Sequence, residues 1–194
     1  MSKSSEDIYQ IKVTLLETKP PIWRRLLVPA SMTLEQLHHA LQAAMGWDDC
    51  HLHEFSIGRK RFGQPESTDG LMDSSTGNES TVRMFDVLGK VGAKAVYTYD
   101  FGDGWEHGIA VEKVLAREPK VVYPICTDGK LNGPPEDCGG VPGYYNLLKA
   151  IRDPKHEEHE EMLDWIGEGF DPNEFPVEGI NERLESCRGG VTDE

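Results

Sequence analysis

The sequence predicts an α+β fold: a mixed or antiparallel sheet built with hairpins, one helix packed on that sheet, and a helical segment at the C-terminus. Apolar and polar residues alternate near the N-terminus, a complete helix-start pattern follows, and two β-branched and aromatic runs flank Asp103-Gly104. The chain has 194 residues, 38% of them hydrophobic, and this length favours a single domain. We expect the α+β core over residues 5–140 and the helical segment over residues 141–185.

The first two strands form a predicted hairpin. Apolar residues occupy every second position from Tyr9 to Leu15, which is the period of a half-buried strand. Pro20-Pro21 interrupts that strand, and a second strand is expected at about residues 22–28. Because the connection between them is short, we expect the two strands to be antiparallel.

A helix with a capping box is predicted next. Thr33 is a suitable N-cap and Gln36 lies three residues later, so the helix should begin directly after Thr33. Gly46 supplies the C-terminal stop. His38 and His39 flank the apolar stripe of this helix, and we expect them at its boundary or in solvent.

Two histidines follow on a predicted strand at residues 51–58. His51 and His53 share a face with Phe55 and Ile57, because side chains alternate along a strand. Two histidines in this arrangement can ligate one metal ion, and the alternative is a hydrogen-bonded pair in the core or at its rim. Residues 59–80 are rich in Gly, Ser, Thr and Asp and are expected to form a mobile surface loop.

A second hairpin is predicted around residues 97–107. Asp-Gly is typical of the two-residue loop of a type I′ turn. If Asp103 and Gly104 form that loop, Asp100 lies directly opposite His107 at about 5 Å. In this register Asp100, Trp105 and His107 share one face of the sheet, and the tyrosines of the first arm take the other.

A stretch rich in Gly and Pro follows at residues 126–144. It places Glu136 and Asp137 after two prolines and before two glycines, which gives the carboxylates a stiff backbone. These carboxylates could ligate a divalent cation or anchor a helix N-terminus, and both interpretations stay open. Helices are expected at about residues 144–151, 156–165 and 177–184.

The charge of the chain lies mainly in its second half. The net charge is −14, and residues 100–194 carry 22 Asp and Glu against 9 Lys and Arg. This field repels phosphate backbones, so a protein or peptide partner is expected rather than a nucleic acid. Nucleic-acid binding would need a basic patch, whose alternative interpretation is a solvated strand edge and loop. The candidate patch residues are Arg24, Arg25, Arg59, Lys60 and Arg61.

The sequence also indicates a compartment. No apolar run approaches the roughly 18 residues of a membrane span, and the polar N-terminus lacks the pattern of a signal peptide. Cys50, Cys126, Cys138 and Cys187 show no paired spacing, so free thiols are expected. We expect a cytoplasmic protein with no membrane association.

Four motifs stand in order along the chain. They are Trp23-Arg24-Arg25; Met45-Gly46-Trp47 followed by His51-Leu52-His53 and Phe55; Tyr99-Asp100-Phe101-Gly102-Asp103 with Trp105 and His107; and Pro134-Pro135-Glu136-Asp137 with Gly139-Gly140 and Gly143-Tyr144. Over about residues 5–185 they resemble the family named after the third open reading frame of an Agrobacterium Ri plasmid. The resemblance implies a mixed α+β, roll-like fold. Members include passenger proteins of insertion elements, some labelled resolvases, and the family has no established reaction.

Resolvase chemistry is not expected from these residues. A serine recombinase needs a nucleophilic serine in an arginine-rich pocket and a basic DNA-binding module. The serines of this chain cluster in the N-terminal tail and in the predicted loop, and the acidic second half repels DNA.

Two functional hypotheses remain. We favour a non-enzymatic binding or adaptor module, associated with mobile elements, that uses a His/Asp/Trp cluster as a recognition groove. The alternative is a metal-dependent, hydrolase-like enzyme in which His51, His53, Asp100 and His107 hold a divalent metal. An enzyme should bring at least three of these side chains to an accessible pocket, and a binding module should show them hydrogen-bonded beside an exposed apolar groove. The full candidate cluster is His51, His53, Asp100, Asp103, Trp105, His107, Glu136, Asp137, Trp47 and Tyr144.

Overall fold

The computed structural model describes residues 6–64 and 76–188. Within these ranges the chain forms one open sheet of eight strands with helices, which confirms the predicted α+β class. The strands are β1 (Ile8–Leu15), β2 (Ile22–Pro29), β3 (His53–Ile57), β4 (Lys60–Gly63), β5 (Gly77–Asn78), β6 (Lys94–Tyr99), β7 (Trp105–Leu115) and β8 (Ile125–Lys130). The helices are α1 (Leu34–Met45), α2 (Met84–Val87), α3 (Gly140–Arg152), α4 (His159–Ile166) and α5 (Val177–Leu184), with 3₁₀ turns at Glu79–Thr81 and Glu185–Arg188.

The spatial order of the sheet is β5-β4-β3-β6-β7-β1-β2-β8. Every neighbouring pair is antiparallel except β4 and β5. The predicted β1–β2 hairpin is present, with Ile11 opposite Leu26. None of the helices in the described ranges combines the length and apolar character needed to cross a membrane.

One face of the sheet carries the core. Along β1 the buried positions are every second residue from Tyr9 to Leu15, and the residues between them are half-exposed. Burying one such aliphatic side chain contributes about 1.5 to 3 kcal/mol. The register of β1 and β7 places His107 beside Leu15 on this same face, so His107 belongs to the core layer.

Helix α1 covers that face and forms as the sequence predicts. The Thr33 side chain accepts from the Gln36 backbone at 3.1 Å, and the Gln36 side chain accepts from the Thr33 backbone at 2.9 Å. Gly46 ends the helix with φ of 87°. Two guanidinium groups reach its C-terminal carbonyls: Arg24 donates to Ala44 at 3.0 Å and Arg183 to Ala43 at 2.9 Å. Both cations suit the negative end of the helix dipole.

Part of the predicted loop at residues 59–80 is regular structure, and there the loop prediction is wrong. Lys60–Gly63 forms β4 and pairs with β3, so that Phe62 lies opposite Phe55 and is buried. Gly77–Asn78 forms the short parallel strand β5. The polar composition of this stretch gives no sign of a hairpin, because one buried aromatic residue, Phe62, holds the hairpin to the sheet. Residues 65–75 of the predicted mobile loop lie outside the described residues.

The C-terminal helices follow the three predicted segments, although α3 begins at Gly140, four residues earlier than expected, and α4 begins at His159, three residues later. Helix α5 buries Ile180 and Leu184 and packs against α1 and β8. Helix α4 packs along α3 and leaves every one of its residues at least partly exposed.

Candidate functional site

Three loops meet at one end of the sheet. They are residues 46–52 after α1, residues 100–104 between β6 and β7, and residues 134–139 before α3. The Trp47 indole donates from Nε1 to the Pro134 carbonyl at 2.9 Å, and the Gly139 amide donates to Asp103 Oδ2 at 3.0 Å. These bonds join the loops, so their side chains converge on a shared rim.

The centre of the rim is an imidazole between two carboxylates. His51 Nε2 lies 2.9 Å from Asp137 Oδ1 and 3.8 Å from Asp100 Oδ2. The His51 side chain is 30% exposed and that of Asp137 is 66% exposed, so solvent reaches the group. The structure therefore brings together three residues that the sequence singled out, from three separate loops.

A thiol and a phenol extend the same rim. The Tyr99 hydroxyl donates to Glu136 Oε1 and accepts from the Cys50 amide at 3.1 Å. Cys50 Sγ lies 3.5 Å from Glu136 Oε1. Burial, followed by the hydrogen bond to Glu136, raises the pKa of Tyr99 well above its usual range. Partial desolvation also raises the pKa of the Cys50 thiol, although the residue is exposed. Both groups therefore stay protonated near neutral pH, and Cys50 is no ready nucleophile. We call Cys50, His51, Asp100, Glu136 and Asp137 the rim cluster.

Backbone geometry places the two rim aspartates. Asp100 and Asp137 each have φ of 54°, in the left-handed region. Asp tolerates this region better than most residues, at a cost of roughly 1 kcal/mol or more. Asp100 Oδ1 accepts from the Gly102 amide at 2.9 Å, which leaves Oδ2 for His51.

The predicted pairing of Asp100 with His107 is wrong. Tyr97 pairs with His107 and Tyr99 with Trp105, because the hairpin loop has five residues, 100–104, instead of two. The register therefore differs by an odd number of positions, and this change exchanges the faces of the sheet. The two tyrosines consequently share the core face with Trp105 and His107, and Asp100 lies in the loop.

His107 is a core residue and no part of the rim cluster. It is fully buried, its Nδ1 lies 3.3 Å from the Tyr97 carbonyl, and the Trp47 ring meets it edge-on at 5.2 Å. Its Nε2 has no hydrogen-bond partner among the described residues. Burial lowers the pKa of His107 to about 4, so the ring is neutral.

His53 is also buried away from the rim. Its Nε2 lies 2.9 Å from both carboxylate oxygens of Glu79, and its ring stacks on that of His38 at 3.5 Å. The proposed ligand set of His51, His53, Asp100 and His107 therefore splits: His51 and Asp100 meet at the rim, whereas His53 and His107 are in the core.

His38, expected at the helix boundary, is 1% exposed and part of a buried network. The Gln42 side chain donates to the Tyr97 hydroxyl at 2.9 Å, and that hydroxyl lies 2.7 Å from His38 Nδ1. We assign the hydroxyl as donor to Nδ1, which leaves Nε2–H to donate to Asp49 Oδ1 at 2.7 Å. Burial lowers the pKa of His38 to about 2, in agreement with a neutral ring. This hydrogen-bond network anchors Asp49 to the core.

The aromatic residues of the predicted cluster are buried beneath the rim and pack against its loops. Trp47, Trp105 and Tyr144 are 5%, 1% and 3% exposed. Trp47 stacks on Tyr99 with ring centres 5.0 Å apart. These rings hold the loops in place and do not present a recognition surface.

The predicted basic residues do not form one patch. Arg24 is buried and donates to the carbonyls of Trp23, Lys130 and Leu131 besides Ala44. Arg25 pairs with Glu112 and Asp128 across the outer face of the sheet. The exposed members are Arg59, Lys60 and Arg61, on the β3–β4 hairpin.

An exposed apolar surface adjoins the rim. Asp137 borders a cleft of about 350 Å³ that Leu147, Met162 and Trp165 also line. Trp165 is 48% exposed, and Phe101 at the hairpin tip is exposed to the same extent. The rim cluster thus continues into a groove between α3 and α4.

Sequence reasoning missed three residues that shape this region: Cys50, Tyr99 and Glu79. Cys50 could have been found from its position beside His51 in a loop. Tyr99 required the correct hairpin register, and Glu79 lay inside the predicted loop, where nothing in the sequence marks a buried carboxylate.

Comparison with known proteins agrees with this fold. The family model described as plasmid pRiA4b ORF-3-like protein matches residues 7–179. The uncharacterised protein y4hQ of Sinorhizobium fredii (strain NBRC 101917 / NGR234) is 40% identical over 165 residues, covering 82% of this chain and 81% of that protein. The crystal structure of MM3350, a protein of unknown function from Methanosarcina mazei Go1, is similar with a TM-score of 0.80 and 38% identity. That match covers 90% of this chain and 98% of the other.

Proposed function

The chain belongs to the plasmid pRiA4b ORF-3-like family, and we propose that it is a non-enzymatic binding module that holds a basic, amphipathic segment of a partner protein. The exposure of α4 carries this proposal. Trp165 and Leu163 are 48% and 40% exposed on a helix with no buried residue. An exposed apolar side chain that borders a cleft, as Trp165 does, is typical of an interaction surface.

The cleft beside α4 has the composition of a side-chain pocket. Leu147, Met162 and Trp165 give it an apolar wall, and Asp137 and Glu158 stand at its edge. An aliphatic side chain can fill the wall, and a neighbouring lysine or arginine of the partner can pair with the carboxylates or stack on the indole. The pocket therefore suits a segment that carries both kinds of side chain.

The surrounding charge favours a cationic partner. Residues 153–178 contain 10 Asp and Glu and a single Lys or Arg, Lys155. This field attracts a basic protein segment and repels a phosphate backbone. The larger cleft of about 760 Å³ between α1 and α5 is less suitable, because Arg183 lines it beside Asp48, Asp49 and Glu182 and offsets part of their negative charge.

A cytoplasmic location is part of the same proposal. The four cysteines, all within the described residues, are free thiols. Unpaired thiols are typical of a reducing compartment such as the cytoplasm, where the chain would bind its partner protein.

Binding of defined peptides tests this proposal. The probe is a fluorescently labelled amphipathic peptide of Leu and Lys, and its counterpart carries Glu in place of Lys. We expect the Lys peptide to bind the full chain, more weakly at high salt, and Trp165→Ala to weaken binding at least roughly tenfold. Fluorescence anisotropy measures both affinities.

Val122→Ala is the matched control, because Val122 is an apolar residue that is 57% exposed elsewhere on the surface. It should leave the affinity for the Lys peptide unchanged. Equal binding of the Lys and Glu peptides, unchanged binding by the Trp165→Ala variant, or no binding of the Lys peptide would each overturn the proposal. Tight binding of a duplex DNA oligonucleotide at physiological salt would replace it with a nucleic-acid function.

A further inference from the structure

Five side chains that commonly bind metals meet at the rim. The donor atoms of His51, Asp100 and Asp137 all lie within 4.8 Å of one another, and so do those of Cys50, His51 and Glu136. His51 belongs to both groups. We propose that the rim cluster binds one divalent transition-metal cation, best matched by Zn²⁺, with His51 as the shared ligand.

The spacing of the donor atoms suits one ion. Zn²⁺ ligands lie about 2.0 to 2.3 Å from the metal, so tetrahedral donors are roughly 3.3 to 3.8 Å apart. The two distances from His51 Nε2, 2.9 Å to Asp137 and 3.8 Å to Asp100, bracket this range. Small side-chain rotations would bring the donors of His51, Asp100 and Asp137 to tetrahedral spacing.

The donor set selects among cations. An imidazole and a thiol favour Zn²⁺ over Mg²⁺ and Ca²⁺, which prefer oxygen ligands alone. The hydrogen bond from Gly102 to Asp100 Oδ1 and that from Tyr99 to Glu136 orient the carboxylates, as outer partners do in metal sites. Metal binding would displace the proton from Cys50 if the thiol joins the ligands.

The local charge also favours the binding of a cation. In the described part of the chain, His51 is the only basic side chain within 4.0 Å of the carboxylates of Asp100 and Asp137. With Glu136 this places three carboxylates beside one imidazole. A divalent cation would offset their repulsion, and the exposure of Asp137 leaves a path from solvent.

This site goes beyond the proposed binding function and differs from the ligand set expected from the sequence. His53 and His107 are replaced by Cys50, Glu136 and Asp137, which the loops bring to His51. Asp137 also borders the α4 cleft, so a bound cation would steady that edge of the groove. The affinity for the Lys peptide depends on Trp165, and the metal site is therefore tested separately.

Metal binding is measured on the full chain, without a histidine tag, after treatment with a chelator. We expect calorimetry to show one Zn²⁺ per chain, no comparable Mg²⁺ binding, and a rise in melting temperature with Zn²⁺. His51→Gln and Asp137→Asn should each weaken Zn²⁺ binding at least roughly tenfold and reduce that rise. Asp137 is mostly exposed, so its variant should stay folded even if the His51 variant does not, and circular dichroism checks this.

His39→Gln is the control, because His39 belongs to a separate group with His38 and Asp49. Its Zn²⁺ affinity should equal that of the unaltered chain. Absence of stoichiometric Zn²⁺, unaltered affinity in the folded Asp137→Asn variant, loss of Zn²⁺ in His39→Gln alone, or a preference for Mg²⁺ would each overturn the proposal. The peptide proposal is decided by the Trp165→Ala variant, so none of these outcomes overturns it.

Discussion

Arg24 shows how far a residue can lie from the role its type suggests. It sits in a run of aromatic and basic residues that resembles a surface patch, yet its side chain projects into the core from β2. Burial lowers its pKa to about 10, so it remains charged at neutral pH. Its guanidinium donates hydrogen bonds both to the Ala44 carbonyl at the end of α1 and to the Leu131 carbonyl after β8.

Replacement of Arg24 tests this structural role. In Arg24→Met, the buried carbonyl of Ala44 and the part-buried carbonyl of Leu131 lose their donor. We expect the free energy of unfolding to fall by at least about 2 kcal/mol, since an unsatisfied buried polar group costs about 1 to 3 kcal/mol. Chemical denaturation measures the change.

Arg59→Met provides the comparison at an exposed position. It should change the free energy of unfolding by less than about 0.5 kcal/mol. Similar losses in the two variants would show that Arg24 has no special role in the core.

At the scale of elements, the length of one hairpin loop determines which side chains reach the rim. A two-residue loop would have placed Asp100 on the sheet, whereas the observed five-residue loop frees it to meet His51. The start of α3 then packs against this loop. A Cβ on Gly140 would collide with the Asp103 carbonyl, and Gly140 has φ of 65°.

Gly140→Ala therefore tests the contact between the hairpin loop and α3. We expect it to destabilise the chain through both the collision and the unfavourable φ. Gly92→Ala shares a positive φ, 82°, but meets no atom within 4 Å. The Gly140 variant should lose at least about 1 kcal/mol more than the Gly92 variant in thermal or chemical unfolding. Equal losses would mean that the loop can move away without cost.

At the scale of the whole molecule, two neutral histidines make folding sensitive to acid. Burial lowers the pKa of His38 to about 2 and that of His107 to about 4, from an ordinary value of 6.5. Below pH 6.5 these two histidines therefore bind protons in the unfolded chain but stay neutral in the folded chain. The contribution of the two neutral histidines to the free energy of unfolding is fully present above pH 6.5. It is lost as pH falls below 6.5, by about 1.4 kcal/mol per pH unit for each histidine.

Unfolding by denaturant between pH 6 and pH 4.5 measures this dependence. His107→Gln should remove about half of the slope that the two histidines contribute. A slope in His107→Gln equal to that of the unaltered chain would contradict the neutral state of His107.

The sequence alone determined the local elements and the charge. Alternation predicted β1, the capping box predicted the start of α1, and breaks at proline predicted the C-terminal helices, because these depend on neighbours within a few residues. The excess of carboxylates after residue 100 likewise needs no structure. The sequence also named His51, Asp100, Glu136 and Asp137 as candidates, although it placed His51 and Asp100 on strands, whereas both lie in loops.

Only the tertiary structure decided which candidates meet. Loop length set the β6–β7 register, and a shift by an odd number of positions moved Tyr97 and Tyr99 onto the core face with His107. Packing against Phe55 turned a polar stretch into β4, and burial placed His38, His53 and Arg24 inside. These outcomes depend on contacts between residues far apart in the chain, for which a local pattern carries no information.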